Sequence, residues 1–586
     1  MRDHPRYVAP AVLLLAAAAW TGLLHPSVEA QVPGRQRTAP PPPLPSASAS
    51  ASTSRLPPVE PSVRFTDVAR DVEFGYTSNN HFTGRKYFAQ PMCGGIALID
   101  YDGDGKLDIY FTNGSRLPEY DRPDASFHGC LLRNLGEGRF QDVTEKAKLT
   151  NVDLSFSFGV AAGDYDNDGD PDLFVANAGP NALYRNEGNG TYRNVTAGSG
   201  LDEKPKDLLS VGGAFFDYDK DGLLDLVVSH YTYWSPAVDR VCPSQAGEIY
   251  CYPGVYESVP HTLHHNLGNG RFEDVTVSSG FGQVKGKGMG IALADYDGNG
   301  WMDVFVANDT EPNFLYMNQG DGTFSEESWA FGVAYDEQGA VVSGMGTDTA
   351  DYDNDGWPDI FYNNLQSQLW ALFQNEQGQR FRYVSPRSGI ARLSRRFSGW
   401  SNAFIDYDND GWKDIYSSNG DVDYMGANAE QHDTMFHNVE GKGFVDVSEG
   451  LGPDFLPLGY QRGSAVGDLN DDGFPDLVIT SLNKTPRILL NSADNGHHWL
   501  WVDLVGTTGN RDAIGAKVKV TTGTGRTLHN HVSVSRGFMS SSDRRLHFGL
   551  GGDTSIRSVE ITWPGGSTQL LDKVQVDRVL RIEEPK

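Results

Sequence analysis

Between residues 95 and 490 the chain repeats one alternation of apolar and acidic segments. A short run that starts on glycine and stays small and apolar comes first: Gly95-Ile-Ala-Leu-Ile99, Gly159-Val-Ala-Ala162, Gly213-Ala-Phe-Phe216 and Gly290-Ile-Ala-Leu293. A nine-residue acidic stretch follows. A second apolar or alternating run closes the unit, as in Leu107-Asp-Ile-Tyr-Phe111, Leu173-Phe-Val175, Leu226-Val-Val228 and Val304-Phe-Val306. Runs of this length predict strands, and no helical periodicity flanks any copy. Behind each of the first six units lies another strand pair, as in Leu183-Tyr-Arg-Asn-Glu-Gly-Asn-Gly-Thr-Tyr-Arg-Asn-Val-Thr196. Asn-Gly or Asp-Gly between alternating positions predicts a tight hairpin. Each repeat therefore supplies four strands, the content of one propeller blade.

The acidic stretch occurs seven times, with starts 53 to 78 residues apart, a period that fits blades rather than helical arrays. The seventh unit lacks the hairpin ending and runs from Arg487-Ile-Leu-Leu490 into unrelated sequence. Val63-Arg-Phe-Thr-Asp-Val68, ahead of the first unit, repeats the blade-ending pattern of Arg139-Phe-Gln-Asp-Val143. This N-terminal strand is expected to complete blade seven and close the ring, because closure removes exposed sheet edges. Segment 496–586 has no acidic stretch. Its apolar runs predict strands at Trp499–Val505, Ala516–Thr521, Leu528–Ser535, Arg545–Leu550 and Ser558–Trp563, with a turn at Trp563-Pro-Gly-Gly566. The predicted fold is all-β: a seven-bladed β-propeller over 63–495, then a small β-sandwich-like domain packed on or beside it.

The acidic stretches change the picture from architecture to chemistry. Each reads D-x-D-x-D-G-x-x-D, and carboxylates this close repel one another unless a hard cation lies between them. Calcium takes six to eight oxygen ligands, here expected from positions 1, 3, 5 and 9, with a backbone carbonyl at position 7. The candidate ligands are Asp100, Asp102, Asp104 and Asp108 in the first loop, and Asp164, Asp166, Asp168 and Asp172 in the second. The third offers Asp217, Asp219, Asp221 and Asp225, and the fourth Asp295, Asp297, Asn299 and Asp303. The fifth offers Asp351, Asp353, Asp355 and Asp359, the sixth Asp406, Asp408, Asp410 and Asp414, and the seventh Asp468, Asn470, Asp472 and Asp476. Up to seven Ca2+ sites are expected, those with Asn299 and Asn470 weaker for the lost charge. Strand flanks and a closing Asp separate these loops from an EF-hand.

Charge agrees. The net charge is −29, from 48 Lys and Arg against 77 Asp and Glu, and 26 of those acids sit at the loop ligand positions. This balance excludes a nucleic-acid partner, whose phosphates need Lys and Arg. Aromatic content of 11% and 67 glycines fit folded β structure rather than an acidic disordered chain.

The N-terminus predicts export. Arg2 and Arg6 precede an apolar run from Tyr7 to Leu24, and Val28-Glu29-Ala30 fits a cleavage site, so residues 1–30 read as a signal peptide. No later run is apolar and long enough to cross a bilayer as a helix. Residues 31–62 are rich in Pro, Ala and Ser and predict an extended tether. Four cysteines in an exported chain suggest disulfides; Cys242–Cys251, close in sequence, and Cys93–Cys130, flanking one repeat, are the favoured pairs.

With these residues in place, the loop and its preceding glycine-led strand resemble the FG-GAP/VCBS repeat of integrin α-chain propellers, over residues 64–490. Arg511-Asp-Ala-Ile-Gly-Ala-Lys-Val518, Gly537-Phe-Met-Ser-Ser541, Leu546-His-Phe-Gly-Leu-Gly551 and Val559-Glu-Ile-Thr-Trp-Pro-Gly-Gly566 resemble the ASPIC/UnbV domain. Together the chain is similar to the cartilage acidic protein-like family. The resemblance implies calcium-binding propellers with extracellular or periplasmic roles, and it implies no reaction.

Three functions stay open on the sequence. The first is an exported, calcium-stabilised binding or adhesion module for a protein or glycan, with the aromatic insertion at about Tyr231–Pro260 as a candidate recognition surface. The second is a calcium-dependent hydrolase, for which Lys285 and Lys287, or Arg392, Arg395 and Arg396, would have to converge on the metals. The third is a cell-envelope scaffold. No nucleophile motif stands out, and no catalytic residue is assigned.

Overall fold

The computed structural model describes residues 56–586 except 74, 151–154, 203–204, 246, 423–428 and 494. The signal segment 1–30 and all but the end of the 31–62 tether lie outside the described residues.

Seven four-stranded antiparallel blades make up most of residues 63–493, the sheet of blade one being extended at its inner edge by Ser540–Ser541, parallel to Ile96–Ile99, and Ser535–Arg536. Blade one runs outward through Ile96–Ile99, Asp108–Phe111, Cys130–Asn134 and Phe140–Asp142. Its two inner strands are buried at every position, whereas Phe140–Asp142 buries only its first residue. Inner strands have neighbours on both faces, so their sequences read as continuous apolar runs rather than alternations. Consecutive blades share apolar clusters around the ring. Ala97 and Tyr110 meet Val160 and Tyr184, Phe361 and Trp370 meet Phe404 and Phe436, and Ile96 and Ile109 meet Val478 and Ile488. The last of these joins blade one to blade seven.

In blade seven the strands Gln461–Gly467, Asp476–Ser481 and Arg487–Ala493 are followed by Val63–Asp67 from the other end of the described chain. The register runs from Val63 opposite Ala493 to Asp67 opposite Leu489. The strand alternates buried and exposed positions, with Val63 and Phe65 packed among Leu477, Ile479, Leu489 and Phe455.

The C-terminal residues form two sheets. His498–Val505 lies between Leu546–Gly551 and Arg578–Glu583, and the second sheet orders Thr527–His531, Lys517–Thr522, Ile556–Thr562 and Thr568–Asp572. Leu500, Val502, Val518, Val520, Phe548, Val559 and Trp563 fill the space between them, and this core continues into Phe215, Leu224 and Met302 of the propeller. The Trp563–Gly566 turn is present, Gly566 N–H donating to the Trp563 carbonyl.

The expected strand Leu528–Ser535 is where sequence and structure part. Pairing stops at His531, and the chain leaves the sandwich to enter the propeller's central channel. Ser540 Oγ accepts from Ile96 N–H, Met539 carbonyl from Val160 N–H, Gly537 carbonyl from Thr347 N–H, Ser401 Oγ from Phe538 N–H, and Ser542 Oγ from Val466 N–H. Ser535 Oγ donates to the Ile291 carbonyl. Six of the seven innermost strands thus bond to one segment. Phe538 is fully buried, with its ring edge-on to Trp400 at 5.1 Å and Phe158, Val211, Met289 and Met345 in the same cluster. The channel explains the glycine that leads the inner strand in blades one and five. A Cβ on Gly95 would stand 2.6 Å from the Met539 carbonyl oxygen, and one on Gly346 would stand 2.8 Å from Gly537.

One cysteine expectation holds and one is corrected. Cys242 and Cys251 form a disulfide. Cys93 and Cys130 do not pair: both are free and buried, Cys93 among Phe88, Met92 and Trp400, and Cys130 among Tyr76, Phe111 and Leu132. Each thiol fills its own apolar cluster, and burial pushes that of Cys93 up to about 12.

Candidate metal centre

Each acidic loop joins the innermost strand of a blade to the second strand, so all seven open on one face of the ring. The loop is built by its own backbone. In blade one the first carboxylate accepts from Asp104 N–H at 3.0 Å and Gly105 N–H at 2.9 Å. The fifth-position carboxylate accepts from Lys106 N–H at 3.1 Å, and the closing Asp108 accepts from Tyr101 N–H at 3.0 Å and Asn134 N–H at 2.7 Å. Blades two, five and six repeat the cradle around Asp164, Asp351 and Asp406. The sixth position is glycine throughout because its φ is positive, from 86° at Gly105 to 102° at Gly169.

What the backbone leaves over marks the site. One buried carboxylate oxygen has no hydrogen-bond partner in each of six loops: Oδ1 of Asp102, Asp166, Asp217, Asp295, Asp353 and Asp408. A buried anionic oxygen without a donor is costly; it belongs to the third loop residue in blades one, two, five and six and to the first in blades three and four. Burial, and after it the neighbouring carboxylates, push the closing carboxyls up against the pull of those N–H groups, Asp108 to about 8 and Asp172 to about 9. The donor set is hard oxygen, so it fits a calcium-class cation. In the seventh loop Asn470 Nδ2 donates to Asp472 at 2.9 Å, and in the fourth Asn299 Nδ2 donates to Asp297 at 3.2 Å. There the amide supplies a donor where the other loops place another carboxylate.

A second set of residues escaped the sequence reading. The third strand of blades one to six ends on asparagine, Asn134, Asn186, Asn266, Asn318, Asn375 and Asn438, and that of blade seven carries Asn491 at the matching place, two residues before its end. Each side-chain amide donates to its own loop and also to the second loop residue of the preceding blade. Asn186 reaches Tyr101, Asn266 Tyr165, Asn318 Tyr218, Asn375 Tyr296, Asn438 Tyr352, Asn491 Tyr407, and Asn134 closes the circle at Leu469. The signal was visible, since an asparagine stands at this point in each repeat, but its partner lies one blade away. Asn438→Ala orphans the carbonyls of Tyr352 and Lys413 and the N–H of Gly441. It is expected to cost about 3 kcal/mol in urea denaturation, at 1–3 kcal/mol per buried orphan.

The C-terminal domain covers the loop face. Arg526 donates to the Asp410 carbonyl at 2.7 Å, Arg545 to the Asp468 carbonyl at 3.0 Å, and Asp512 accepts from Asp164 N–H at 2.8 Å. Lys517 pairs with Asp295.

The opposite face carries the insertion. Trp234, Tyr250, Cys251 and Tyr256 are buried, so much of it covers blade three, while Tyr252 is 66% exposed. Phe88, Tyr231, Tyr250, Asp309, Gln368 and Trp400 line a cavity of about 320 Å³ there. The Tyr231 hydroxyl donates to Asp309 at 2.6 Å, and burial pushes the Asp309 carboxyl up to about 6. Lys287 is engaged at this face by Glu311 and Ser258, at 2.7 and 3.0 Å, and does not approach a loop.

A family model described as FG-GAP-like repeat matches residues 100–175, 164–228, 257–306, 295–362 and 351–417, and one described as ASPIC and UnbV matches 506–586. Cartilage acidic protein 1 of Homo sapiens is 25% identical over 519 residues, covering 84% of this chain and 72% of that protein. Its Xenopus tropicalis counterpart is 26% identical over 528 residues, covering 84% and 73%. Among solved structures, an Agrocybe aegerita lectin that recognises non-reducing terminal N-acetylglucosamine overlaps 60% of this chain and 79% of its own at 14% identity and a TM-score of 0.36, a likeness too remote to carry an inference. The chain belongs to the FG-GAP repeat proteins that end in an ASPIC/UnbV domain, the cartilage acidic protein-like family.

Proposed function

We propose that this protein is an exported binding module whose propeller is stabilised by calcium in the acidic loops and whose ligand, a protein or a glycan, is met on the insertion face. The observation that carries this is the division of labour between the two faces. The loop face and the channel are occupied by the protein's own C-terminal domain, and the far face keeps a cavity walled by aromatic side chains and Asp309. Aromatic walls with a few polar groups are the usual make-up of a recognition site. The calcium would be structural: Asp102 and its counterparts would hold it with the closing Asp, tying the first strand of a blade to the second. An intact Cys242–Cys251 disulfide supports an oxidising, extracytoplasmic setting. No helix among the described residues is long and apolar enough to cross a membrane.

The test is a glycan and extracellular-protein array probed with calcium-loaded protein, chelator-treated protein and a Tyr231→Ala variant, with bound calcium counted by mass spectrometry. The expected result is several calcium ions per chain, and a ligand lost on chelation and on the Tyr231 substitution. A chain that binds no calcium, or a ligand retained after the substitution, overturns the corresponding half of the proposal.

A further inference from the structure

The residue ahead of each clamp asparagine differs in chemistry from blade to blade: Arg133, Arg185, His265, Met317, Gln374, His437 and Leu490. This position faces the acidic loop of its own blade. Arg133 Nε lies 2.7 Å from Asp102 Oδ2, and Gln374 donates to Asp353. The two loops that carry an asparagine, in blades four and seven, are the ones with apolar Met317 and Leu490 there. Blades three and six present an imidazole.

In blade six the imidazole stands among the loop carboxylates. His437 Nδ1 lies 3.2 Å from Asp414 Oδ1 and 3.8 Å from Asp408 Oδ2, and Nε2 lies 3.9 Å from Asp410 Oδ2. The Tyr407 hydroxyl, 3.3 Å from Nδ1, holds the ring edge. His437 is 7% exposed, Asp408 6% and Asp414 0%, and Asp408 Oδ1 has no hydrogen-bond partner although buried. Ligand atoms of Asp408, Asp414 and His437 all fall within 4.8 Å of one another. Blade three repeats the arrangement more openly. His265 Nδ1 is 3.1 Å from Asp225 Oδ1 and 3.4 Å from Asp219 Oδ2, and groups with Asp221 as well.

Calcium draws its ligands from oxygen, whereas an imidazole nitrogen beside carboxylates suits zinc and its first-row neighbours. We propose that blades three and six are mixed histidine–carboxylate sites that take zinc in preference to calcium, while the remaining loops keep calcium. This rests on the reading of the loops as cation sites and divides them into two classes. The division follows from one side chain per blade, set by the third strand rather than by the loop.

The test uses the full chain, equilibrated with millimolar calcium and micromolar zinc and then dialysed. Metal content is measured, and crystals are examined for anomalous scattering at the zinc edge. The expected result is two zinc ions per chain with peaks at His265 and His437. His437→Ala is expected to leave one, and addition of His265→Ala none, with calcium content elsewhere preserved. Zinc that survives the double substitution overturns the proposal, as does a wild-type chain that holds calcium and no zinc; the latter leaves the calcium reading standing. A chain that holds neither metal overturns both. Should a variant fail to fold, the position of the zinc peaks in the wild-type chain decides.

Discussion

A chain lacking residues 63–67 is expected to lose its single cooperative unfolding transition and to associate. The deletion removes a register of five residue pairs and the two buried side chains that anchor it, Val63 and Phe65. Burial of two such side chains contributes about 3–6 kcal/mol. The larger effect is topological. Strand Arg487–Ala493 would become an edge with an unpaired row of N–H and C=O groups, and such edges recruit other chains. Asp67 would go as well, and with it the acceptor for Ile488 N–H. Calorimetry and light scattering on the deleted chain provide the measurement, and a peptide spanning residues 60–70 added in trans is expected to restore monomers. An unchanged melting temperature in a monomeric chain would sink the idea that this strand closes the ring.

The second large effect is expected at Phe538. Phe538→Ala leaves the plug's backbone hydrogen bonds in place but opens a void against Trp400, Phe158 and Met289. A fully buried Phe→Ala change costs about 3–5 kcal/mol, the transfer loss plus the cavity that incomplete collapse leaves behind. Phe538→Leu is expected to recover more than half of it. The readout is urea denaturation of the full chain. A loss below about 1 kcal/mol, the level of an exposed position, would contradict the channel-filling role. Since Trp400 packs on Phe538 from below and lines the insertion-face cavity from above, the alanine variant should also weaken any ligand bound there.

The blades were legible because their signals are local and repeated. A glycine-led apolar run, nine loop residues and a hairpin turn lie within one repeat, and seven copies remove the ambiguity of one. Even the long-range closure could be read, because Val63-Arg-Phe-Thr-Asp67 carries the same alternation as Phe140-Gln-Asp142. The plug could not be read. Gly537-Phe-Met-Ser-Ser541 occurs once, is mostly small and polar, and is buried only because four distant strands donate or accept around it. The asparagine clamps were hidden for a related reason: each looks like an ordinary hairpin residue until the preceding blade is set beside it. Cys93 and Cys130 misled because an even count says nothing about which apolar cluster each thiol enters.

The plug also fixes an order of events. The last blade strand ends at Ala493, and the residues that fill the channel come after it, at Gly537 to Ser542. A growing chain has therefore made every blade strand before it makes the part that packs their common axis. The strand that seals the ring, by contrast, is among the first residues of the propeller to be made. Assembly of this protein is consequently a late event that joins both ends of the chain around an unfinished middle. Until the final tenth of the sequence is available, the blades have a hollow centre, which makes the nascent form one that depends on being held apart from its neighbours.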